Sequence, residues 1–232
     1  MEKSRYFEYE EKIKKSHKQL KKAYEEVRES YSEMIFRFAL MAEYRDAATG
    51  THLVRIADYG TEIARELGLS KEDIYSLKYA SPMHDIGKLV IPDAILNKES
   101  GLTPEEREII KKHTTLGADI FKGARSPVLK TARIISLTHH ERYDGTGYPQ
   151  GLKGKQIPLF GRIIALVDVF DALTSKRPYK EAYGFDEAVR MIKDQSGKHF
   201  DPVIVKAFLD REDRIRKIWK ATKDIESFLG DM

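Results

Sequence analysis

Seven side chains in the middle of this chain have the right chemistry to hold metal ions. They are His52, the pair His84–Asp85, His113, the pair His139–His140, and Asp168. Imidazole and carboxylate donors together suit hard-to-borderline cations such as Fe, Mn or Zn. The chain has seven histidines, and five of them fall in this set. A His-Asp or His-His pair brings nothing to an ordinary core helix, where each buried polar group needs a compensating partner. Composition alone would also accommodate scattered surface histidines. The residues flanking these positions favour a metal site. With no cysteine in the chain, neither thiolate ligation nor a disulfide is available.

A fold must gather these donors. At 232 residues the chain can hold one good core, or one domain with an appendage. Hydrophobic content of 41% with 10% aromatics is that of a globular protein, not a disordered one. Lys+Arg of 41 against Asp+Glu of 37 leaves +4, too even to indicate a nucleic acid polymer as partner. A local basic cluster can still hold a phosphate. No apolar run approaches the ~20 residues that span a bilayer. The opening MEKSRYFEYEEKIKK lacks the apolar core of a signal peptide. The expectation is a soluble, cytoplasmic protein.

Residues 1 to about 40 contain no glycine and no proline. Tyr6, Ile13, Leu20, Val27, Met34 and Met41 recur every seven residues, a heptad stripe. The second seam (Tyr9, Ser16, Ala23, Ser30) is small or polar, and Tyr24, Tyr31 and Phe38 thicken the stripe toward its C-terminal end. Such a helix extends roughly 60 Å. It reads as a solvated helix with one face on the body, or as a parallel dimerising stalk. The polarity of its first thirty residues favours the stalk.

The remainder reads as helix. Ser70-Lys-Glu-Asp73 is a capping-box-like start to a helix reaching Met83. Thr103-Pro104-Glu105-Glu106 sets a cap, an N1 proline and first-turn acids before another. Asp201-Pro202 repeats the signal before the last long helix. Val128 to Thr138 and Arg162 to Leu173 are apolar enough to be buried helices. No segment alternates as a strand does, so the expected class is all-α. Residues 144–158, with Gly145, Gly147, Gly151, Gly154, Pro149 and Pro158, form a structured loop with room for a short hairpin.

With these residues in view, the chain resembles the HD-GYP domains, a branch of the HD phosphohydrolase superfamily. The matching text is RDAATGTHLVRIA (45–57), HDIGKLVIPDAIL (84–96), KHTTLGADI (112–120), HHERYDGTGYPQGLKGKQIP (139–158), DVFDALTSKRPYK (168–180) and GKHFDP (197–202). The GYP triplet is Gly147-Tyr148-Pro149. The resemblance covers about residues 39–212, leaving a stalk at 1–38 and a helical extension at 213–232. It implies a helical core around a metal centre, with a short irregular GYP loop. It also implies hydrolysis of cyclic di-GMP to pGpG or on to GMP.

By the same resemblance the metal ligands are His52, His84, Asp85, His113, His139, His140 and Asp168. Seven ligands suit two divalent ions. His52, His84, Asp85 and Asp168 are assigned to one ion; Asp85, as a bridge, His113, His139 and His140 are assigned to the other. Fe or Mn is expected, with Zn, Ni or Mg also compatible. The family's third metal is associated with a glutamate four residues before the first ligand histidine. Here Ala48 stands there, and neither Ala47 nor Thr49 can substitute, so two ions are expected. A water shared by two cations loses a proton near neutral pH, and this hydroxide is the expected nucleophile.

Lys88, by family match, points at the scissile phosphate, so Asp85 and Lys88 are the expected catalytic pair. Arg177 and Lys180 match residues that hold substrate phosphates. Tyr148 either shapes the loop or contacts substrate. Asp46 and Asp171 are expected to orient ligand imidazoles, and Asp144 to organise the glycine loop. His17 and His199 are not expected to be ligands. Three other readings stay open: hydrolysis of another cyclic dinucleotide or nucleotide, a non-catalytic signalling module, and a di-iron carrier. The expected partners are a cyclic dinucleotide, a second copy through the N-terminal helix, and a sensory or signalling protein.

Overall fold

The computed structural model describes residues 2–43, 45, 50–98, 100–176 and 181–230, with side chains from residue 9 to residue 222. Asp46, Ala47, Ala48, Thr49, Arg177 and Lys180 therefore lie outside the described residues. Among the described residues the regular elements are all helices, without strands; one isolated bridge joins Ser196 to Phe200.

The helices are α1 (Glu2–Glu43), α2 (Gly50–Glu66), α3 (Lys71–Ala80), α4 (Asp93–Leu96), α5 (Pro104–Lys111) and α6 (His113–Ile120). There follow α7 (Pro127–Thr138), α8 (Leu159–Thr174), α9 (Phe185–Asp194), α10 (Pro202–Asp210) and α11 (Glu212–Gly230). Three 3-10 turns punctuate them: Ser81–Met83, Ile86–Val90 and Gly154–Gln156. No helix among the described residues is long and apolar enough to cross a membrane.

The chain divides into two compact units, Met1–Arg37 and Phe38–Met232. The first is a continuous helix. Its heptad side chains Ile13, Leu20, Val27 and Met34 are between 56 and 69% exposed. The polar residues around them hold i,i+4 ion pairs such as Lys22–Glu26 and Arg37–Glu33.

In the second unit, α2, α3, α7 and α8 pack on one another. Leu53, Ile56 and Ile63 of α2 recur at helical spacing and are fully buried. They meet Ile163, Ile164, Val167 and Phe170 of α8, also buried. Phe170 sets its ring edge-on to Tyr59, Phe185 and Phe208 at 5.0–5.5 Å. Burial of each such side chain contributes roughly 1.5–3 kcal/mol. α11 packs against α2, with Ile215 fully buried and the Trp219 ring against Phe185.

The caps fall where the sequence places them. Ser70 accepts from Asp73 N, Thr103 and Glu106 form a reciprocal capping box, and Asp201 accepts from Val203 N. Three details differ from expectation. The helix from Ser70 ends at Ala80, not Met83, because Pro82 has no N–H to continue the ladder and the chain tightens into a 3-10 turn. The helix after Asp201 breaks at Arg211 into α10 and α11. The 144–158 loop forms no hairpin; its backbone groups pair elsewhere, as described below.

Candidate metal centre

His84 follows the Ser81–Met83 turn and is completely buried. Its Nδ1 sits 3.0 Å from the Ser81 carbonyl, which turns Nε2 inward. His113 opens α6 with Nδ1 2.7 Å from the Ile110 carbonyl. His139 ends α7 with Nδ1 3.0 Å from the Ile135 carbonyl. In each case the carbonyl can only accept, so Nδ1 donates and Nε2 is the nitrogen left to face the site. His52 of α2 is held differently. Its Nδ1 lies 2.6 Å from Asp171 Oδ2, and Asp171 is itself gripped by Arg55 and Ser175. A carboxylate behind an imidazole is a common way to orient a metal-binding histidine.

The donors gather into two groups. Asp85, His113, His139 and His140 form one, with ligand atoms all within 4.8 Å of one another. His52, His84 and Asp168 form the other under the same limit. Asp85 faces both. Its Oδ1 is 3.1 Å from His113 Nε2 and 3.4 Å from His139 Nε2, while Oδ2 is 3.4 Å from His84 Nε2. His84 Nε2 also stands 3.8 Å from Asp168 Oδ1. His84 Nε2 and Asp85 Oδ1 are nonetheless buried without a hydrogen bond. Orphaned buried polar atoms are costly, and a cation between them removes that cost. Five imidazoles and two carboxylates are a donor set that fits divalent metal ions.

The electrostatics agree. Burial opposes a charge on His84, but Asp85, Asp168 and Glu43 outweigh it and push the imidazole up to about 10. Burial likewise works against the Asp85 carboxylate, yet Lys88 and His84 hold it well below the usual carboxylate range. The acidic side of the site thus demands positive charge. On the other side, burial drives His139 and His140 down, and the neighbouring imidazoles reinforce it. Both rings are neutral and available as ligands. Lys88 Nζ lies 2.8 Å from Asp85 Oδ2. The 3-10 turn that carries it crosses α6 so closely that a Cβ on Gly87 would collide with the His113 carbonyl.

The glycine loop closes one side. Glu141, 1% exposed, accepts Gln150 N at 2.7 Å and Leu152 N at 3.0 Å. Asp144 accepts Thr146 N and Oγ1 at 2.9 and 2.6 Å, the organising role expected of it. Tyr148 N donates to the His140 carbonyl, and the Tyr148 ring stacks on His140 at 4.8 Å. Gly147 lies so near Glu141 and Arg142 that any side chain there would strike their backbone. The Tyr148–Pro149 bond is cis. Glu141→Ala removes the acceptor of two part-buried backbone donors, Gln150 N and Leu152 N, at about 0.5–1.5 kcal/mol each. The expected result is a melting temperature several degrees lower and faster proteolysis within 144–158. Unchanged values on both would show that the loop is held by other contacts.

The fold thus brings together all seven expected donors, with Lys88, Tyr148 and Asp171 beside them. His199 belongs to neither donor group, and His17 lies on α1. Several residues escaped the sequence reading. Arg55, one turn after His52, is the buried partner of Asp171; a charged residue on an otherwise apolar face was its one signal. Arg45 donates to the carbonyls of Lys88 and Ile91, holding the segment that carries Lys88. Glu141 and the buried Glu43 were also passed over.

Comparison with known proteins gives the family. The HD domain family profile matches residues 37–204. A cyclic di-GMP phosphodiesterase of Thermotoga maritima is 46% identical, over 80% of this chain and 50% of that protein. The cyclic di-GMP phosphodiesterase response regulator RpfG of Xanthomonas campestris is 42% identical, over 80% of this chain and 49% of that protein. The chain spans about half the length of these curated relatives. Among solved structures, a cyclic GMP-AMP-specific phosphodiesterase of Vibrio cholerae shares the fold. Its TM-score is 0.63 at 23% identity, covering 83% of this chain and 53% of that one. The chain belongs to the HD domain family, in its HD-GYP branch.

Proposed function

We propose that this protein is a metal-dependent phosphodiesterase that hydrolyses cyclic di-GMP to pGpG, to GMP, or to both. The observation that carries the reading is Asp85, whose two oxygens face two separate donor groups while Oδ1 and His84 Nε2 lack hydrogen bonds. In this reading His52, His84, Asp85 and Asp168 hold one divalent ion, and Asp85, His113, His139 and His140 hold the other. Two such ions supply Lewis acidity to a phosphodiester and to the water that attacks it. Fe or Mn suits the donors best, and Zn, Ni or Mg remain compatible.

The chain's own groups do the rest. Asp85 fixes the spacing of the two groups. Asp171 and Arg55 hold His52 in one orientation. Lys88 brings a positive charge to the phosphate beside Asp85, and Tyr148 presents its ring at the rim next to His140. Arg177 and Lys180, outside the described residues, bind the phosphates. The activities of these relatives support the substrate class. Chromatography of products after incubating the reduced, metal-loaded chain with cyclic di-GMP tests the reading: pGpG or GMP supports it, and intact substrate refutes it.

Residues 39–212 form the catalytic domain in this reading, residues 1–38 a stalk and residues 213–232 an extension, in a cytoplasmic protein. The exposed heptad side chains from Ile13 to Met34 need a partner, and a second copy in parallel provides one. A sensory protein could act on the catalytic domain through this stalk. Light scattering is expected to give a dimer for the intact chain and a monomer after deletion of residues 1–32. A monomeric intact chain at micromolar concentration refutes the stalk assignment.

A further inference from the structure

The segment that carries Lys88 has little of its own to hold it in place. Ile86–Val90 is a 3-10 turn, whose hydrogen bonds are poorer than those of an α-helix. Lys88 N donates to the Asp85 carbonyl at 2.9 Å, and Ile91 N to the Lys88 carbonyl at 3.1 Å. Leu89 and Val90 are 39% and 55% exposed, so their side chains add little packing. The Leu89 carbonyl would find its next local donor three residues on, but that residue is Pro92, which has no N–H. Among the described residues no backbone N–H reaches the carbonyl of Leu89 or of Ile91.

One guanidinium meets these groups. Arg45 comes two residues after the end of α1. Its Nη1 donates to the Lys88 carbonyl at 3.3 Å and to the Leu89 carbonyl. Its Nη2 donates to the Ile91 carbonyl at 3.1 Å and to Asp93 Oδ1 at 2.5 Å. The two nitrogens belong to one rigid plane, so the chain from Lys88 to Asp93 is tied to a single group. A guanidinium has no lone pair to offer a cation, so Arg45 serves the turn and not the metal ions. The turn is thereby fixed on two sides. Gly87 fits against α6, and Arg45 grips the carbonyls that follow. The 2.8 Å separation of Lys88 Nζ from Asp85 Oδ2 depends on where that backbone stands.

We propose that Arg45 is a positioning residue for the reaction, holding the backbone of residues 88–91 so that the Lys88 ammonium stays at the phosphate beside Asp85. The proposal rests on the phosphodiesterase reading, in which Lys88 meets the scissile phosphate. Arg45 then acts on the reaction only through Lys88. A double-mutant cycle on the full, metal-loaded chain tests this. Arg45→Gln is expected to lower kcat about tenfold to a hundredfold, with KM and metal content within about twofold of wild type. In the Lys88→Met background the same change is expected to cost less than about twofold, because the group it positions is already gone. Arg45→Lys keeps the charge and loses the planar fork, and is expected to show the same pattern at reduced size. It replaces Arg45→Gln in the cycle if circular dichroism shows that variant to be unfolded. The full loss in both backgrounds, or an unchanged kcat in the single variant, overturns the proposal.

Hydrogen exchange separates this claim from the reaction itself. Without substrate, the amides of residues 86–91 are expected to exchange at least about tenfold faster in Arg45→Gln, while those of α7 keep the wild-type rate. Unchanged exchange over 86–91 overturns the anchoring whatever the kinetics. If wild type leaves cyclic di-GMP intact, the phosphodiesterase reading fails, and exchange alone decides whether Arg45 holds the turn.

Discussion

Asp85→Ala is expected to release both metal ions and reduce turnover below detection, whereas His52→Ala removes mainly one ion. The asymmetry follows from position. His52 belongs to the group with His84 and Asp168, while Asp85 lies within 3.4 Å of imidazole nitrogens from both groups. Its carboxylate is also the negative charge nearest the neutral pair His139 and His140, which without it offer only imidazole donors to a divalent ion. Elemental analysis after gel filtration checks the result. Circular dichroism on the same sample establishes that the helices survive. Full metal occupancy in folded Asp85→Ala would contradict the bridging assignment.

The second large effect belongs to Lys88. Lys88→Met is expected to lower kcat by about 10²–10³, on the order of 2.7–4 kcal/mol, the usual effect of removing one charge-stabilising group from a catalytic site. Metal content should remain, because Lys88 is a cation beside Asp85 and its removal takes away a competitor for that carboxylate. Parallel metal analysis and steady-state kinetics distinguish the outcomes. Equal loss of metal and activity would make Lys88 a structural partner of Asp85 and not a contributor to the reaction.

The parts of this protein that the sequence discloses are those governed by local rules or by residue type. Ser70, Thr103 and Asp201 cap helices because each bonds a backbone N–H within three residues, a relation visible in any window of four. The metal donors are visible because adjacent His-Asp and His-His residues flanked by apolar segments bring nothing to an ordinary core. The geometry separates His52, His84 and Asp168 from Asp85, His113, His139 and His140, with Asp85 Oδ2 3.4 Å from His84 Nε2. Pro82 is a local signal of the same kind: without an N–H it ends α3 at Ala80, short of the expected Met83. Arg55, Arg45 and Glu141 were illegible for a different reason. Their partners lie 116 residues away for Arg55 and Asp171, and 43 for Arg45 and the Lys88 carbonyl. Glu141 reaches only nine residues, but to backbone groups of an irregular loop that no periodicity describes. Burial of charge is a property of the assembled core, and no short window of sequence contains it.

Metal stoichiometry of the reduced wild-type chain, measured together with cyclic di-GMP turnover, tests the central claim most directly. The account predicts two ions per chain, activity lost on chelation, and activity restored by Fe or Mn. A single ion at full activity, three ions at full occupancy, or turnover that survives complete removal of metal would contradict it.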